Sequence, residues 1–222
     1  MAKFSVIIAE NSDEETKRQI DSARNANVEM IVFAVDGDSV RDRIASNVRQ
    51  EHALTPKALT ELAEHLNKWS QYCNSLGMRA SFHPHAATYI ETPEETAYLF
   101  SKLDENVGFC LDVGHWIVGG GDPVAGVVEY GKRVTHVHIK DVDPEILKKL
   151  IAGEYERMHV AVEDHFLFVP AGEGALDLVG LFAELEKFGF SDWMMSEQDK
   201  AREPAEEKSG VSMRNIEAAL KG

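Results

Sequence analysis

The sequence alternates short apolar segments with longer segments of helical periodicity, and this alternation limits the fold more than any other feature. Apolar, β-like segments are predicted at residues 4–9, 31–35, 79–83, 108–112, 134–139 and 193–196. Helical patterns are predicted at 14–27, 39–50, 55–76, 92–103, from 122, 144–151, 176–188 and 204–220. Alternation of this kind is typical of an α/β chain with a parallel sheet.

Two helix starts carry clear signals. Thr55 precedes Pro56, a preferred first helical residue, and Gly77 ends the same apolar pattern. The segment Thr92-Pro93-Glu94-Glu95 has the spacing of a capping box. We therefore expect long helices after the second and third predicted strands.

Four of the predicted strands end in residues that ligate metals. The segments are Phe82-His83-Pro84-His85, Leu111-Asp112-Val113-Gly114-His115, Val137-His138-Ile139-Lys140-Asp141 and Met195-Ser196-Glu197-Gln198-Asp199. Parallel strands place their C-terminal ends on one face, where distant residues can converge. Carboxylates and imidazoles from separate strands can enclose one cation and leave positions open for substrate oxygens. The pattern predicts one divalent-metal site and an enzyme.

The predicted site also bears on the shape of the sheet. In a flat sheet the ends of four strands would spread over about 15 Å, which is too wide for one ion. A closed or strongly curled sheet turns the same ends toward a common axis. A complete eight-unit barrel takes about 250 residues, whereas this chain has 222. We expect a single domain, residues 1–222, with a (β/α) barrel shortened to about six units.

Composition narrows the functional classes. The formal net charge of −15 argues against binding to nucleic acid or to an anionic membrane, and suits a small-molecule enzyme. Cys73 and Cys110 are the only cysteines and show no CxxC spacing, so two reduced thiols in a cytoplasmic protein are expected. The first residues lack a long apolar core, and neither a signal peptide nor a membrane span is predicted.

Several ordered motifs resemble a known family. They are His83-Pro84-His85 with Thr88-Tyr89-Ile90-Glu91-Thr92, Leu111-Asp112-Val113-Gly114-His115, His136-Val137-His138-Ile139-Lys140-Asp141, Pro170-Ala171-Gly172-Glu173-Gly174 and Trp193-Met194-Met195-Ser196-Glu197-Gln198-Asp199. From about residue 50 onward the chain resembles the xylose isomerase-like TIM barrels called sugar phosphate isomerases/epimerases, with inosose dehydratases nearest in motif. The six strands would correspond to the third to eighth of that barrel. Closure within one chain, closure by homo-oligomerisation and an incomplete barrel all stay open.

The resemblance implies that Asp112, His138 and Glu197 are metal ligands. Each also follows or ends a buried strand, where an ionisable group is costly unless it is paired or bound to metal. The alternatives are a cap for Asp112, a core histidine for His138 and a salt bridge for Glu197. The fourth ligand is Glu91 or His83; charge balance favours Glu91. The ion implied is Mn²⁺ first, with Co²⁺, Mg²⁺ or Zn²⁺ as alternatives.

Catalytic roles are predicted for Glu197, Lys140 and His85. Glu197 is the candidate base, with His83, His85 or Lys140 as partner acid. The period of two places His136, His138 and Lys140 on one face, so that Lys140 would lie at the rim above the metal and stabilise an oxyanion or shuttle a proton. A lysine extending out of the sheet end is the alternative.

Substrate contacts are predicted for four residues: His83, His115, His136 and Glu173. His115 follows Asp112 by three residues and could bind a hydroxyl or orient the carboxylate, although a packing histidine fits equally well. Glu173 lies in a glycine-flanked turn that can approach a ligand, or it is a turn residue only.

The resemblance favours proton transfer next to a carbonyl. An isomerase or epimerase would act on a keto sugar or cyclic polyol ketone through a metal-stabilised enediolate. Loss of a β-hydroxyl would instead make the same site a dehydratase. DNA-repair endonucleases of the same superfamily need a basic surface, which the net charge of −15 argues against. A non-catalytic binding or assembly subunit is the remaining alternative.

Overall fold

Parallel strands form the centre of the molecule. The computed structural model describes residues 4–7, 12–200 and 204–221. Six parallel strands pair in the order β1-β2-β3-β4-β5-β8. Their bounds are β1 Phe4–Ile7, β2 Met30–Ala34, β3 Arg79–Phe82, β4 Val107–Asp112, β5 Val134–Ile139 and β8 Met194–Ser196. The predicted parallel α/β architecture is confirmed, although residues 8 and 9 of the first predicted strand lie outside the described residues.

Eight of the ten described helices lie at the predicted places. Their bounds are α1 Asp13–Asn25, α2 Ser39–Ile44, α3 Pro56–Ser75, α4 Pro93–Phe100, α5 Val113–Val118, α6 Pro123–Tyr130, α7 Pro144–Ile151, α8 Met158–Glu163, α9 Leu178–Lys187 and α10 Ala205–Ala219. The helix predicted at 39–50 ends at Ile44, and a separate turn of 3-10 helix covers Gln50–His52. The sequence did not predict α5, α8 or the short antiparallel pair β6 (Asp141–Val142) and β7 (Phe168–Val169).

The two helix caps predicted from the sequence are present in the structure. Thr55 Oγ1 accepts a hydrogen bond from Ala58 N, and Thr92 with Glu95 makes a capping box at the start of α4. The Glu95 carboxylate also accepts a hydrogen bond from each terminal nitrogen of Arg41, both at 2.8 Å. Because the Arg41 side chain is only 1% exposed, this buried pair fixes α2 against α4.

The apolar clusters on the two faces of the sheet differ in size. Ile31 and Phe33 of β2 join the large apolar cluster beneath the helices, which also holds Phe82 and Leu111. The alternate residues of the same strand face the other way, where a small cluster holds Met30, Val32 and Cys110. β2 and β4 are buried along their whole length, as in parallel sheets covered on both faces.

The inner face is strongly curved. Thr135 Oγ1 of β5 hydrogen-bonds Ser81 Oγ of β3 at 3.1 Å, across the intervening strand β4. Gly108 of β4 makes this contact possible, because a Cβ there would lie 2.0 Å from Thr135 Oγ1. The β4–β5 register shifts at the same level, next to Phe109. A bulge of this kind bends a strand, and the predicted curl of the sheet is confirmed.

Within the described residues, β1 and β8 each pair on one side only, so the sheet is a partial barrel. None of the helices described is both long and apolar enough to cross a lipid bilayer.

Candidate metal centre

Four neighbouring strands bring the candidate ligands to one place. His83 follows β3, Asp112 ends β4, His138 lies in β5 and Glu197 follows β8. Asp112 is directly opposite His138 in the register. Glu197 N donates to the carbonyl of Ile139 at 3.0 Å, which continues the β5–β8 ladder by one residue. The sheet register itself therefore positions these side chains.

The facing atoms have the spacing of a metal's ligand shell. His83 Nε2 lies 3.5 Å from Asp112 Oδ2, which lies 3.4 Å from His138 Nδ1, and His138 Nδ1 lies 3.0 Å from Glu197 Oε2. Adjacent ligands about 2.0 to 2.2 Å from one ion are about 2.8 to 3.6 Å apart at tetrahedral or octahedral angles.

The same atoms are otherwise unsatisfied. His83 Nε2, Asp112 Oδ2, His138 Nδ1 and Glu197 Oε2 are all buried without a hydrogen bond. Buried polar atoms normally have partners, which a cation would provide here. The ligand atoms of Asp112, His138 and Glu197 all lie within 4.8 Å of one another, and those of His83, Asp112 and His115 form a second such group. The two imidazoles and two carboxylates fit a divalent ion.

Glu91 is not part of this cluster. Its Oε1 accepts from Ser46 N and its Oε2 from Ala87 N, both at 2.7 Å. Both donor residues have left-handed backbone conformations, with φ of 66°. Glu91 therefore joins two loops instead of reaching the metal centre, and His83 is the candidate that lies beside Asp112.

Asp112 divides its carboxylate between two tasks. Oδ1 accepts from His115 N at 3.0 Å and caps α5, while Oδ2 faces the cluster. Burial alone would raise the pKa of Asp112, but Lys140 and the surrounding histidines hold it well below its usual value. The carboxylate is thus ionised and able to bind a cation.

Lys140 lies beside the ligands with its ammonium buried. Nζ is 3.0 Å from Asp199 Oδ2, 3.3 Å from Glu197 Oε1 and 3.5 Å from Asp112 Oδ2. Burial would lower the pKa of Lys140, but these carboxylates raise it, so that the side chain stays charged. The stem passes over Gly114, where a Cβ would lie 2.3 Å from Lys140 Cγ. The side chain therefore turns inward and does not extend out of the sheet end.

Two histidines stack beside Lys140. The rings of His85 and His115 have centroids 3.5 Å apart. His85 Nδ1 lies 2.6 Å from the Ala86 carbonyl, and His115 Nε2 lies 3.2 Å from Lys140 Nζ. Burial is the main cause that lowers the pKa of His85 to about 4, and it also holds the pKa of His115 well below its usual value, so both rings are neutral.

Two other predicted residues lie outside the cluster. His136 is one inward-facing position deeper than His138, and its Nδ1 lies 2.8 Å from the Trp193 carbonyl. Glu173 is 43% exposed and lies 3.7 Å from Lys208. The structure therefore associates His136 with strand packing and Glu173 with the surface.

Asp141 is a buried carboxylate to which the sequence assigned no role. It accepts hydrogen bonds from four backbone N–H groups, those of Val142, Gly172, Gly174 and Leu176, at 2.8 to 3.0 Å. At Gly174 a Cβ would lie 2.3 Å from the Val142 carbonyl. Asp141 thus holds the turn at 172–176 closely against β6.

A cavity of about 550 Å³ opens beside the metal centre. His85, His115 and Asp199 form the part of its lining nearest the cluster. Phe168 lies there too, with Lys140 Nζ 4.9 Å from its ring centroid. Sequence motifs drew attention to both histidines, but nothing in the sequence indicated that Asp199 would pair with Lys140.

Residues 8–219 match the family described as the xylose isomerase-like TIM barrel. An inosose dehydratase of Clostridium botulinum is 30% identical over 205 residues, which cover 90% of this chain and 68% of that protein. The rhizopine catabolism protein MocC of Rhizobium meliloti is 33% identical over 166 residues, 73% of this chain. That alignment covers 48% of MocC, about half its length. The solved structure of the zinc-bound IolI protein superposes with a TM-score of 0.62 and 19% identity, over 98% of this chain and 72% of that chain.

Proposed function

Because the chain belongs to the xylose isomerase-like TIM barrel family, we propose that it is a divalent-metal-dependent enzyme acting on a keto sugar or cyclic polyol ketone. It removes the proton next to the carbonyl. Return of that proton to the neighbouring carbon, with the hydroxyl proton passing to the former carbonyl oxygen, isomerises the substrate, and return to the opposite face of the same carbon epimerises it. The observation that carries the proposal is the group of facing ligand atoms from His83, Asp112, His138 and Glu197, which are buried without hydrogen bonds beside the charged ammonium of Lys140.

His83, Asp112, His138 and Glu197 would hold the ion, and Mn²⁺ is our first choice for it. When bound, the ion supplies Lewis-acid polarisation of the ketone carbonyl. Two imidazoles and two carboxylates also suit Co²⁺ or Zn²⁺, and the solved IolI relative contains zinc.

Lys140 stabilises negative charge on the substrate oxygen. Its ammonium is fixed by Asp199 and Glu197, so it is oriented before substrate binds. Glu197 is the proposed base: its side chain is 33% exposed, against 0% for Asp112, and is the more accessible carboxylate of the pair. Glu197 takes the α-proton and delivers it to the neighbouring carbon.

The sequence suggested His85 as a catalytic acid, but its hydrogen bonding suits a role as a hydrogen-bond acceptor better. Its Nδ1 faces the Ala86 carbonyl, which can only accept, so Nδ1 carries the hydrogen. Nε2 is then the basic nitrogen. We assign His85 to receive a hydrogen bond from a substrate hydroxyl.

Dehydration is the second candidate. Relatives that are 30% and 36% identical are named inosose dehydratases. Loss of a hydroxyl β to the carbonyl follows from the same first proton removal, and Glu197, once protonated, is placed to donate to the leaving oxygen.

Proton exchange tests both candidates. Purified protein loaded with Mn²⁺ is incubated in D₂O with a panel of ketoses and inososes, and NMR follows deuterium at the α-carbon. We expect deuterium exchange at the α-carbon. The Glu197→Gln variant should exchange at least about a hundredfold more slowly, while the Glu129→Gln variant on α6 should exchange at the wild-type rate. A new isomer indicates isomerisation, and an unsaturated or deoxy ketone indicates dehydration. A metal-loaded protein without exchange on any panel member would contradict the proposal and favour a binding role.

A further inference from the structure

Histidines aside, the ionisable side chains that line the cavity beside the metal centre are all carboxylates in the part of the chain that the structure describes. Among the described residues around it are five carboxylates and no lysine or arginine: Asp36, Asp38, Asp42, Glu163 and Asp199. Two of these carboxylates are paired, Asp199 with Lys140 at 3.0 Å and Glu163 with Lys200 at 2.6 Å. Each of these two lysines therefore pairs with one of the five carboxylates around the cavity, and Lys140 also lies beside Asp112 and Glu197 of the metal centre.

The other three carboxylates follow β2 and have no ion-pair partner within the described residues. Asp42 Oδ1 accepts the backbone N–H of His159 at 3.0 Å. Asp38 caps α2 through Oδ1 and accepts from Tyr89 through Oδ2. These hydrogen bonds leave the negative charges in place, because each donor is neutral. Asp36 lines the same wall beside Gly37.

A second observation indicates a ligand with hydroxyl groups. His115 lines the cavity and is 3% exposed, and its Nδ1 is buried without a hydrogen-bond partner. Since Nε2 already faces Lys140, Nδ1 is the ring atom that lacks a contact. Because the Lys140 ammonium can only donate, Nε2 accepts and Nδ1 carries the hydrogen, which the oxygen of a ligand hydroxyl can accept. The flat ring of Phe168 adds an apolar contact in the same cavity.

We propose that this cavity selects the substrate by charge: it holds the part of a polyhydroxy ligand remote from the ketone, favours a protonated amine there and disfavours a phosphate. The proposal rests on the proposed function for where the ketone lies. A phosphate dianion would meet three unbalanced carboxylates, whereas an ammonium group would be attracted by them.

Three cyclitols test the proposal without any turnover. They are inositol, an amino-deoxyinositol and an inositol monophosphate, which differ at one carbon only. Calorimetry on the Mn²⁺-loaded protein measures each dissociation constant. We expect the amine to bind tightest and the phosphate weakest, with about three- to tenfold between successive members. Equal affinities, tighter binding of the phosphate, or no measurable binding of any member would overturn the proposal.

Conservative variants locate the effect. Asp36→Asn and Asp42→Asn each remove one charge, and the Asn side chain keeps an oxygen for the His159 N–H. We expect either change to reduce the ratio of the affinity for the amine to the affinity for the phosphate by about threefold or more. Glu129→Gln removes an equal charge at the end of α6 that precedes β5, and should leave the ratio unchanged. An unchanged ratio in both cavity variants, with native circular dichroism, would contradict the proposal.

The two proposals fail separately. If deuterium exchange is absent but the affinity order holds, the catalytic proposal is wrong and the charge-selecting cavity stands. If exchange occurs and the affinity order is absent or reversed, only the cavity proposal is overturned.

Discussion

At the scale of single residues, the site depends on buried charges that balance one another. The side chains of Lys140 and Asp112 are 1% and 0% exposed, and Glu197 and Asp199 complete a group of three carboxylates around one ammonium. The sequence indicated Asp112, His138, Glu197 and Lys140 because each lies at a strand end. It could not indicate Asp199, which reaches Lys140 only through the fold of the segment after β8.

Replacement of Lys140 by Met should destabilise the metal-free protein by about 3 kcal/mol, because it leaves the buried Asp112 and the partly exposed Glu197 and Asp199 without their cation. Bound metal would balance part of that charge, so the loss should be smaller in the Mn²⁺-loaded protein. Urea unfolding with and without Mn²⁺ measures both values. Lys149→Met on the exposed side of α7 is the control. It should change the free energy of unfolding by no more than about 0.5 kcal/mol, with or without Mn²⁺. Equal losses in both states would count against a cation beside Lys140.

Glu91 should make stability fall as pH rises. Burial is the main cause that raises its pKa from 4.5 to about 7. The folded state therefore holds its proton more tightly than the unfolded state, so the stabilisation is full below pH about 4.5 and is lost as pH rises through about 7.

The comparison with Glu91→Gln isolates this effect, since Gln does not titrate. The stability of the wild type relative to the variant should decline by up to about 3 kcal/mol between pH 4.5 and 7. Urea unfolding across that range measures the difference. A flat difference would mean that Glu91 does not carry the raised pKa.

At the scale of elements, long periodic segments were predictable and short ones were not. The six strands and the helices beginning at Pro56, Pro93 and Pro123 follow from apolar runs and caps. α5 escaped prediction because Asp112 both ends β4 and caps α5, so no turn signal separates them. β6 and β7 have two residues each, and no periodicity exists over that length.

The turn at 172–176 should depend on Asp141. Asp141→Asn replaces an acceptor oxygen by an NH₂ group that faces backbone donors, and leaves buried N–H groups unsatisfied. We expect faster hydrogen exchange at the amides of Gly172, Gly174 and Leu176, by about tenfold or more, while exchange in β2 stays unchanged. Unaltered protection of all three amides would show that the turn is held by other contacts.

At the scale of the whole molecule, the curl of the sheet links fold and site. The sequence predicted it indirectly, because four strand ends can share an ion only if the sheet bends. The structure provides the means at Gly108, where side chains of β3 and β5 meet across β4. The sequence left the fourth ligand open between Glu91 and His83, because which of them lies beside Asp112 depends on the loops that Glu91 joins through Ser46 and Ala87.

Metal binding tests the central claim most directly. Titration of the metal-stripped protein with Mn²⁺, followed by calorimetry and by metal analysis after gel filtration, should give one ion per chain. Asp112→Asn and His138→Gln should each weaken binding at least about a hundredfold, whereas Glu173→Gln, at the surface, should not. A protein that binds no divalent ion, or whose ligand variants bind as tightly as the wild type, would contradict the account.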